Sequence, residues 1–203
     1  MIVAVEGPSA AGKTTWCRRV ADRFVAEYVP TGHEPEGNDP QAQGQYWTEV
    51  NARRWSEALE LENALGHVLC DSDPLKLHYS WCLYRIGAAP RARFAHEYQQ
   101  VRQAMRHRQL GFADTVLVTL PDETALRKRK ESDATRTRRS FDLHVQLRRP
   151  LQEWYRVLAD LSPGRVAWNL PQAWPGPLTD APVRVERYDI ELLDTLVYRL
   201  PVR

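Results

Sequence analysis

The sequence predicts a three-layer α/β/α sandwich around a mostly parallel sheet of about five strands. Two observations lead to this prediction. Short apolar segments alternate with longer stretches of helical pattern, an order that implies a parallel sheet with helices on both faces. The chain of 203 residues also has a length that suits one domain with a sizeable core. We therefore expect residues 1–203 to form a single domain.

Four segments carry the pattern of short strands, and one of two late segments supplies a fifth. The clearest strand is rich in β-branched residues and is stopped by Pro121. Asp189 is placed to cap a last helix that reaches about residue 198. The predicted strands are 1–6, 28–31, 66–71, 115–120 and either 165–170 or 183–188. The predicted helices before the last are 13–26, 41–65, 74–85, 91–109, 126–130 and 140–161.

Composition and charge narrow the classes of partner. The chain is 43% hydrophobic and 27% charged with a formal net charge of +2, so no global field points to nucleic acid or a membrane surface. Cys17, Cys70 and Cys82 lack the spacing of a disulfide framework or a zinc site, and buried reduced thiols are expected. With no predicted signal peptide and no long apolar run, we expect a cytoplasmic protein.

A phosphate-binding motif follows the first predicted strand. Residues 7–14 read GPSAAGKT and match G-x-x-x-x-G-K-[ST]. The glycines let the backbone curl so that its N–H groups face phosphate oxygens, and the following helix adds the positive end of its dipole. Lys13 is expected to reach the β- and γ-phosphates, and the Thr14 hydroxyl to ligate magnesium. The motif therefore predicts a site for ATP with Mg²⁺, formed by Gly7, Ser9, Ala10, Ala11, Gly12, Lys13, Thr14 and Thr15.

Two acids follow the third predicted strand. An acid at the carboxyl end of a strand beside a phosphate loop is where magnesium and its water shell are held. Asp71 or Asp73 could serve the metal, or could accept a proton from a substrate hydroxyl. The alternative is structural, because Asp and Ser before Pro74 make a good helix N-terminus.

Basic residues are dense between residues 124 and 140. Two clusters, 127–130 and 136–139, flank a short loop. Phosphoryl transfer spreads negative charge over equatorial oxygens, which arginines clamp. We therefore predict a lid over ATP at about 124–140, with Arg127, Arg136 and Arg138 as its clamping residues. A solvated charged helix face is the alternative. Nucleic-acid binding is disfavoured, because the cluster has little aromatic interleaving.

These motifs resemble the nucleoside and nucleotide kinase branch of the phosphate-loop proteins. The segment VLCDSD at 68–73, with YSW at 79–81 and YRIG at 84–87, resembles ribosylnicotinamide kinases. The Glu34-Pro35 pair and the Arg-rich segment instead resemble deoxynucleoside and thymidylate kinases. The resemblance covers the chain to about residue 160. It departs at Ser72, where an arginine usually follows the strand-three acid in deoxynucleoside and thymidylate kinases.

The resemblance implies an ATP-dependent kinase that phosphorylates a hydroxyl of a nucleoside-like small molecule. In this interpretation Asp71 or Glu34 activates the acceptor hydroxyl. Tyr46, Trp47 and Trp55 lie where a ring can stack on a base, although core packing is the simpler role for most of them. A nucleoside monophosphate acceptor is the alternative within this class, and a regulatory nucleotide-binding module without an acceptor is the alternative outside it. The oligomeric state stays open, with a homodimer among the alternatives.

Overall fold

The computed structural model describes residues 1–35, 39–132, 140–174 and 186–201. Its strands are β1 (Ile2–Glu6), β2 (Val68–Asp71), β3 (Thr115–Val118) and β4 (Val166–Ala167). Its helices are α1 (Lys13–Val20), α2 (Pro40–Leu65), α3 (Leu77–Arg85), α4 (Arg91–Arg106), α5 (Glu123–Ser132), α6 (Phe141–Gln146), α7 (Arg148–Leu161) and α8 (Ile190–Arg199). Within these ranges, no helix is both long and apolar enough to cross a membrane.

β1 lies inside the sheet, between β2 and β3. The strand order is β2-β1-β3-β4, and all three pairings are parallel. The register places Ala4 beside Cys70 on one side and beside Val116 on the other. β1, β2 and β3 are buried along their whole length, as expected of parallel strands that are covered on both faces. Their carboxyl ends meet at one edge of the sheet, which is where ligands bind in open α/β folds.

Alternate residues of β1 point into two different cores. Ile2 and Ala4 belong to the larger core, to which α2, α3, α4, α7 and α8 contribute. Val3 and Val5 belong to a smaller core that contains Trp16 of α1. Side chains of a strand alternate between its two faces, so a strand that is apolar throughout needs a helical layer on each side. The predicted three-layer α/β/α fold is confirmed.

The predicted strand at 28–31 is wrong. The chain meets β2 earlier, where Val25 forms a single parallel bridge with Cys70. The Arg54 guanidinium donates to the Asp71 carbonyl at 2.9 Å and to the Ala26 carbonyl at 3.0 Å. The Asp71 carbonyl is the acceptor that the next rung of this ladder would need, so the pairing ends after one residue. The sheet consequently has four strands in the described residues, where the sequence predicted about five.

Most helices lie where the sequence predicts them, but several ends differ. α1 ends at Val20 rather than residue 26, which leaves enough chain to bring Val25 back against β2. The predicted helix at 140–161 is two helices, α6 and α7, which meet at Leu147. Pro150 lies in the first turn of α7 and has no amide hydrogen to continue the bonding of α6. The predicted cap of the last helix is confirmed, because the Asp189 side chain accepts from the Leu192 amide.

Of the two segments that could supply the last strand, 165–170 contains β4. Val166 pairs with Val116, and Ala167 pairs with Leu117. Half of the alternative segment, 183–185, lies outside the described residues. Its described part, 186–188, is not a strand, although the Arg187 carbonyl accepts from the Phe112 amide at 2.8 Å.

Candidate active site

Residues 7–12 form a tight loop between β1 and α1. Ala10 (φ 65°) and Gly12 (φ 91°) both have a left-handed backbone. A Cβ added at Gly7 would lie 2.3 Å from the carbonyl oxygen of Thr119, so only glycine fits where the chain after β3 approaches. α1 begins at Lys13, and its first turn leaves N–H groups without intrahelical acceptors. The local sequence therefore builds a concave loop at the positive end of a helix dipole, which suits an anion.

All eight residues predicted to bind the nucleotide line one pocket of about 860 Å³. That volume is sufficient for a small-molecule ligand. Because the strand order is β2-β1-β3-β4, lining residues lie on both sides of the phosphate loop, and these two groups define the two ends of the pocket. The end beside β2 is lined by Glu6, Glu27, Lys76, His78 and Tyr79, and the end beside β3 and β4 by Thr119, Arg129, Leu170, Pro171 and Gln172. Two molecules can therefore approach the phosphate loop from opposite sides.

Lys13 and Thr14 line this pocket, and Asp71, which is buried and does not line it, contacts Thr14. The Lys13 side chain is largely buried, and its Nζ donates to the Gly7 carbonyl at 2.9 Å. The Thr14 hydroxyl donates to Asp71 Oδ2 at 2.5 Å. Asp71 reaches this position because β2 pairs with β1 in a register that sets it beside Val5, just before the phosphate loop.

The Asp71 carboxylate has the features of a partner for a hard cation. Its Oδ1 atom is buried and has no hydrogen-bond partner among the described residues. Burial raises the pKa of Asp71, and the hydrogen bond from Thr14 opposes that rise. The described part of the chain contains no cluster of three or more His, Cys, Asp or Glu side chains arranged to hold a metal ion. Magnesium fits this arrangement, because it binds through one or two carboxylates together with water and substrate phosphates.

The other predicted metal residue, Asp73, does not line the pocket. Its Oδ1 accepts from the Leu75 amide at 3.0 Å, and its Oδ2 accepts from the Tyr155 hydroxyl at 2.9 Å. Burial raises the pKa of Asp73. Both carboxylate oxygens are therefore engaged in a buried network. Asp73 does not cap α3, whose cap position is Lys76, so its contacts are not those of the predicted helix cap.

Glu34, one of the two predicted bases, stabilises its own turn. It accepts hydrogen bonds from the Tyr28 hydroxyl, the Thr31 amide at 2.6 Å and the Gly32 amide at 3.0 Å. The bond from Tyr28, followed by that from the Thr31 amide, lowers the pKa of Glu34 to about 2. Glu34 does not line the pocket. The structure thus brings Asp71 to the phosphate loop but leaves Glu34 outside the pocket.

Sequence reasoning missed Glu27, which does line the pocket. Glu27 follows the Val25 bridge by two residues, so the pairing with β2 carries it to the edge of the sheet where the strands end. Burial alone would raise its pKa, but the Lys13 and Lys76 ammonium groups outweigh burial and lower it. The sequence does contain a signal for Glu27, because this acid directly follows the apolar pair Val25-Ala26. The predicted strand at 28–31 misses it, since it begins three residues after the bridge at Val25.

The predicted lid is only partly within the described residues, because Arg136 and Arg138 lie outside them. Arg127 is half-exposed on α5, where it pairs with Glu123 at 2.7 Å and with Asp142 at 3.1 Å, and it does not line the pocket. Arg129 does line the pocket and donates to the Ala11 carbonyl at 2.8 Å. Within the described part of the predicted lid, the arginine that contacts the phosphate loop is therefore Arg129, two residues from Arg127.

The three aromatic residues of α2 do not line the main pocket. Trp55 is fully buried in the larger core, as the simpler alternative requires. Tyr46 instead contacts the Tyr28 hydroxyl at 2.7 Å, and its ring packs edge-on against Trp47. These two rings support the turn that holds Glu34.

Comparisons with known proteins support the fold over nearly the whole chain. No protein-family model matches. The chain is similar to the deoxyadenosine kinase of M. mycoides in three solved structures. The structure with bound dATP has 15% identity and a TM-score of 0.53, with 83% of this chain and 90% of that one covered. The structures with the products dCMP and dCDP and with dCTP have 13% and 12% identity and TM-scores of 0.55 and 0.56, each with 98% of both chains covered.

A curated sequence match is much shorter. A cytidylate kinase of Corynebacterium diphtheriae is 59% identical over 32 residues, which amount to 16% of this chain and 14% of that protein. At these levels of identity and coverage the comparisons establish one result: the chain has the fold of the deoxyadenosine kinases.

Proposed function

We propose that the protein is an ATP-dependent kinase that transfers the γ-phosphate to a hydroxyl of a nucleoside-like acceptor. The observation that carries this proposal is the two-ended pocket. Its centre is a phosphate-binding loop, and a carboxylate, Glu27, lies at one end. A binding module for ATP alone needs no second end with an acid in it. The three structures of the M. mycoides deoxyadenosine kinase, which shares the fold, contain bound nucleotides, and this is consistent with the proposed use of the pocket.

The phosphate loop would hold the triphosphate of ATP. Its amide groups and the Lys13 ammonium would face the β- and γ-phosphates, and Arg129, which lies beside the loop, would add positive charge from α5. Thr14 and Asp71 would hold magnesium, which neutralises phosphate charge when it is bound. The base would lie against residues 170–172, a segment fixed by the bond from Trp16 Nε1 to the Pro171 carbonyl at 2.8 Å.

The acceptor would occupy the end beside β2, opposite the base of ATP. In-line transfer requires the attacking oxygen and the leaving oxygen to lie on opposite sides of the γ-phosphorus. The acceptor hydroxyl gives its proton to the Glu27 carboxylate as its oxygen bonds to phosphorus. The bond from phosphorus to the β,γ-bridging oxygen then breaks and releases ADP. The lowered pKa of Glu27 keeps the carboxylate ionised at neutral pH, the form that accepts a proton.

A nucleoside monophosphate is the second candidate acceptor, and the short cytidylate kinase match favours it. The charges at the acceptor end favour an uncharged acceptor instead. There, the Lys76 ammonium is paired with two carboxylates, those of Glu6 and Glu27. A phosphate group would have to compete with both acids for the Lys76 ammonium. The Cys17, Cys70 and Cys82 thiols are buried and free, which fits a reducing compartment, and we place the reaction in the cytoplasm.

ATP consumption should be measured alone and with each member of a panel of nucleosides, deoxynucleosides, nucleoside monophosphates and sugars. The proposal predicts low turnover without acceptor and strong stimulation by a nucleoside or deoxynucleoside. Stimulation only by monophosphates would support the second candidate. Tight ATP binding without stimulation by any compound would indicate a regulatory nucleotide-binding module and contradict a kinase function.

A further inference from the structure

Lys76 lies at the acceptor end of the pocket in an unusual backbone conformation. It directly precedes α3 with φ 45° and ψ 0°, a left-handed conformation that residues with a Cβ rarely adopt. Its Nζ lies 3.2 Å from Glu6 Oε2 and 3.7 Å from Glu27 Oε1. The ammonium therefore bridges two carboxylates that belong to different segments of the chain.

Of these two carboxylates, Glu6 is the fixed one. Its side chain is 3% exposed. Its Oε1 accepts from the Gly7 amide at 2.8 Å, and its Oε2 accepts from the Asp73 amide at 3.2 Å. The His78 ring adds a contact from Nε2 to Oε2 at 3.2 Å. Burial alone would raise the pKa of Glu6, but Lys76 and His78 lower it well below its usual range. Glu6 is thus a buried anchor with little freedom to move or to exchange protons.

Glu27 is the movable carboxylate of the pair. Its side chain is 41% exposed, and it follows a single bridge rather than a strand. Among the residues that the structure describes, Lys76 is the cation within 4 Å of it. A carboxylate on such a segment needs a fixed partner if it is to hold one position, because catalytic groups must be placed precisely. Lys76 has this partner on its other side, in Glu6.

We propose that Lys76 is a positioning residue, which transmits the fixed position of Glu6 to the Glu27 carboxylate and so orients Glu27 toward the acceptor hydroxyl. This inference rests on the proposed kinase function. It also explains the left-handed backbone of Lys76, because the side chain must return from the start of α3 to the pocket. A lysine suits the position, since its compact ammonium can donate to two carboxylates at once.

The experiment combines Lys76→Met with Glu27→Gln in a double-mutant cycle. Methionine keeps an unbranched side chain and the same backbone strain but removes the ammonium. The kcat/KM for the acceptor should fall about 10- to 100-fold in Lys76→Met, within the range of coupled neighbours. Adding Lys76→Met to Glu27→Gln should cost little more, because the residue to be positioned has already lost its function. Binding of a fluorescent ATP analogue should be unchanged, since Lys76 lies at the opposite end from the base of ATP.

Two further variants keep the test decisive. Arg156→Met removes an exposed cation from α7, outside the pocket and the predicted lid, and should leave the acceptor kinetics unchanged. Lys76→Arg keeps the positive charge, so its acceptor kcat/KM should lie between those of Lys76→Met and the wild type. If Lys76→Met does not fold, Lys76→Gln takes its place as the variant without the charge. Equal losses from Lys76→Met in both backgrounds, or a parallel loss of ATP affinity and thermal stability, would overturn the positioning role. A wild-type protein that no acceptor stimulates would instead overturn the proposed function, and the positioning role with it.

Discussion

Replacing Asp71 by asparagine should separate the catalytic and the structural effects of this buried carboxylate. Asparagine can still accept the Thr14 hydrogen bond, so the substitution mainly removes charge. Two unit charges about 4 Å apart interact by about 4 kcal/mol at an effective dielectric constant of about 20. Water in the open pocket screens the charges and reduces this loss of interaction energy. Removing a residue that supports the ligands of a metal typically lowers the affinity of the site for that metal about 10- to 100-fold. We expect the magnesium concentration for half-maximal turnover to rise by that factor.

The same substitution should not destabilise the fold at neutral pH. Burial raises the pKa of Asp71, so the folded state binds the proton more tightly than the unfolded state. Stability from this group is therefore present at low pH and is lost as the pH rises through the raised pKa. Asparagine cannot ionise and avoids that loss. The melting temperature of Asp71→Asn should equal or exceed that of the wild type at pH 7, and the difference should shrink as the pH is lowered.

Asp73→Asn is the matched control for this prediction. Asp73 is also buried with a raised pKa, but its carboxylate faces Leu75 and Tyr155 rather than the phosphate loop. Magnesium titrations of turnover and thermal melts at several pH values should be recorded for both variants. An unchanged magnesium requirement in Asp71→Asn, or an equal shift in Asp73→Asn, would refute the assignment of the metal to Thr14 and Asp71.

Three other substitutions test the remaining parts of the site. Lys13→Ala should raise the barrier to transfer by about 3–4 kcal/mol with little change in melting temperature, and near wild-type turnover would contradict the phosphate-loop assignment. Glu27→Gln should lower kcat about 100-fold, while Glu34→Gln should stay close to wild type in steady-state assays; the reverse order would make Glu34 the base. Arg129→Ala should weaken ATP binding measured by calorimetry, whereas Arg127→Ala should not, and equal effects would argue against a special role for Arg129.

The phosphate loop could be predicted from the sequence because its determinants are local. Gly12 needs a left-handed backbone, Gly7 must admit the Thr119 carbonyl, and Lys13 begins the helix, all within a segment of seven residues. The parallel sheet was equally accessible, because buried parallel strands are continuous apolar runs. Asp71 followed from its place at the end of such a run.

The acceptor end could not be predicted, because it depends on contacts between distant segments. Arg54 ends the pairing of the Val25 segment with β2, and this fixes where Glu27 emerges. The sequence pattern of residues 25–34 does not indicate that the Arg54 side chain of α2 will donate a hydrogen bond to the Asp71 carbonyl. Lys76, which lines the pocket, has a left-handed backbone that is not expected of a lysine.

The choice between Arg127 and Arg129 was also beyond sequence reasoning. Four consecutive basic residues, 127–130, cover every face of a helix, since successive residues are separated by about 100°. Which of them faces the loop depends on how α5 packs, and Leu126 decides this by packing with Ala10 and Ala11 of the loop. The packing of Leu126, rather than the charges, therefore determines how α5 is oriented toward the phosphate loop.

The fate of the γ-phosphate shows directly whether the protein transfers it to a nucleoside. ATP labelled at the γ-phosphorus should be incubated with the protein, magnesium and a mixture of deoxynucleosides, and the products identified by chromatography and mass spectrometry. The two-ended pocket predicts that the label appears on a hydroxyl of a nucleoside, and that Glu27→Gln slows this transfer while ATP still binds. Label found only in inorganic phosphate, or remaining in ATP with every acceptor, would contradict phosphoryl transfer to a nucleoside.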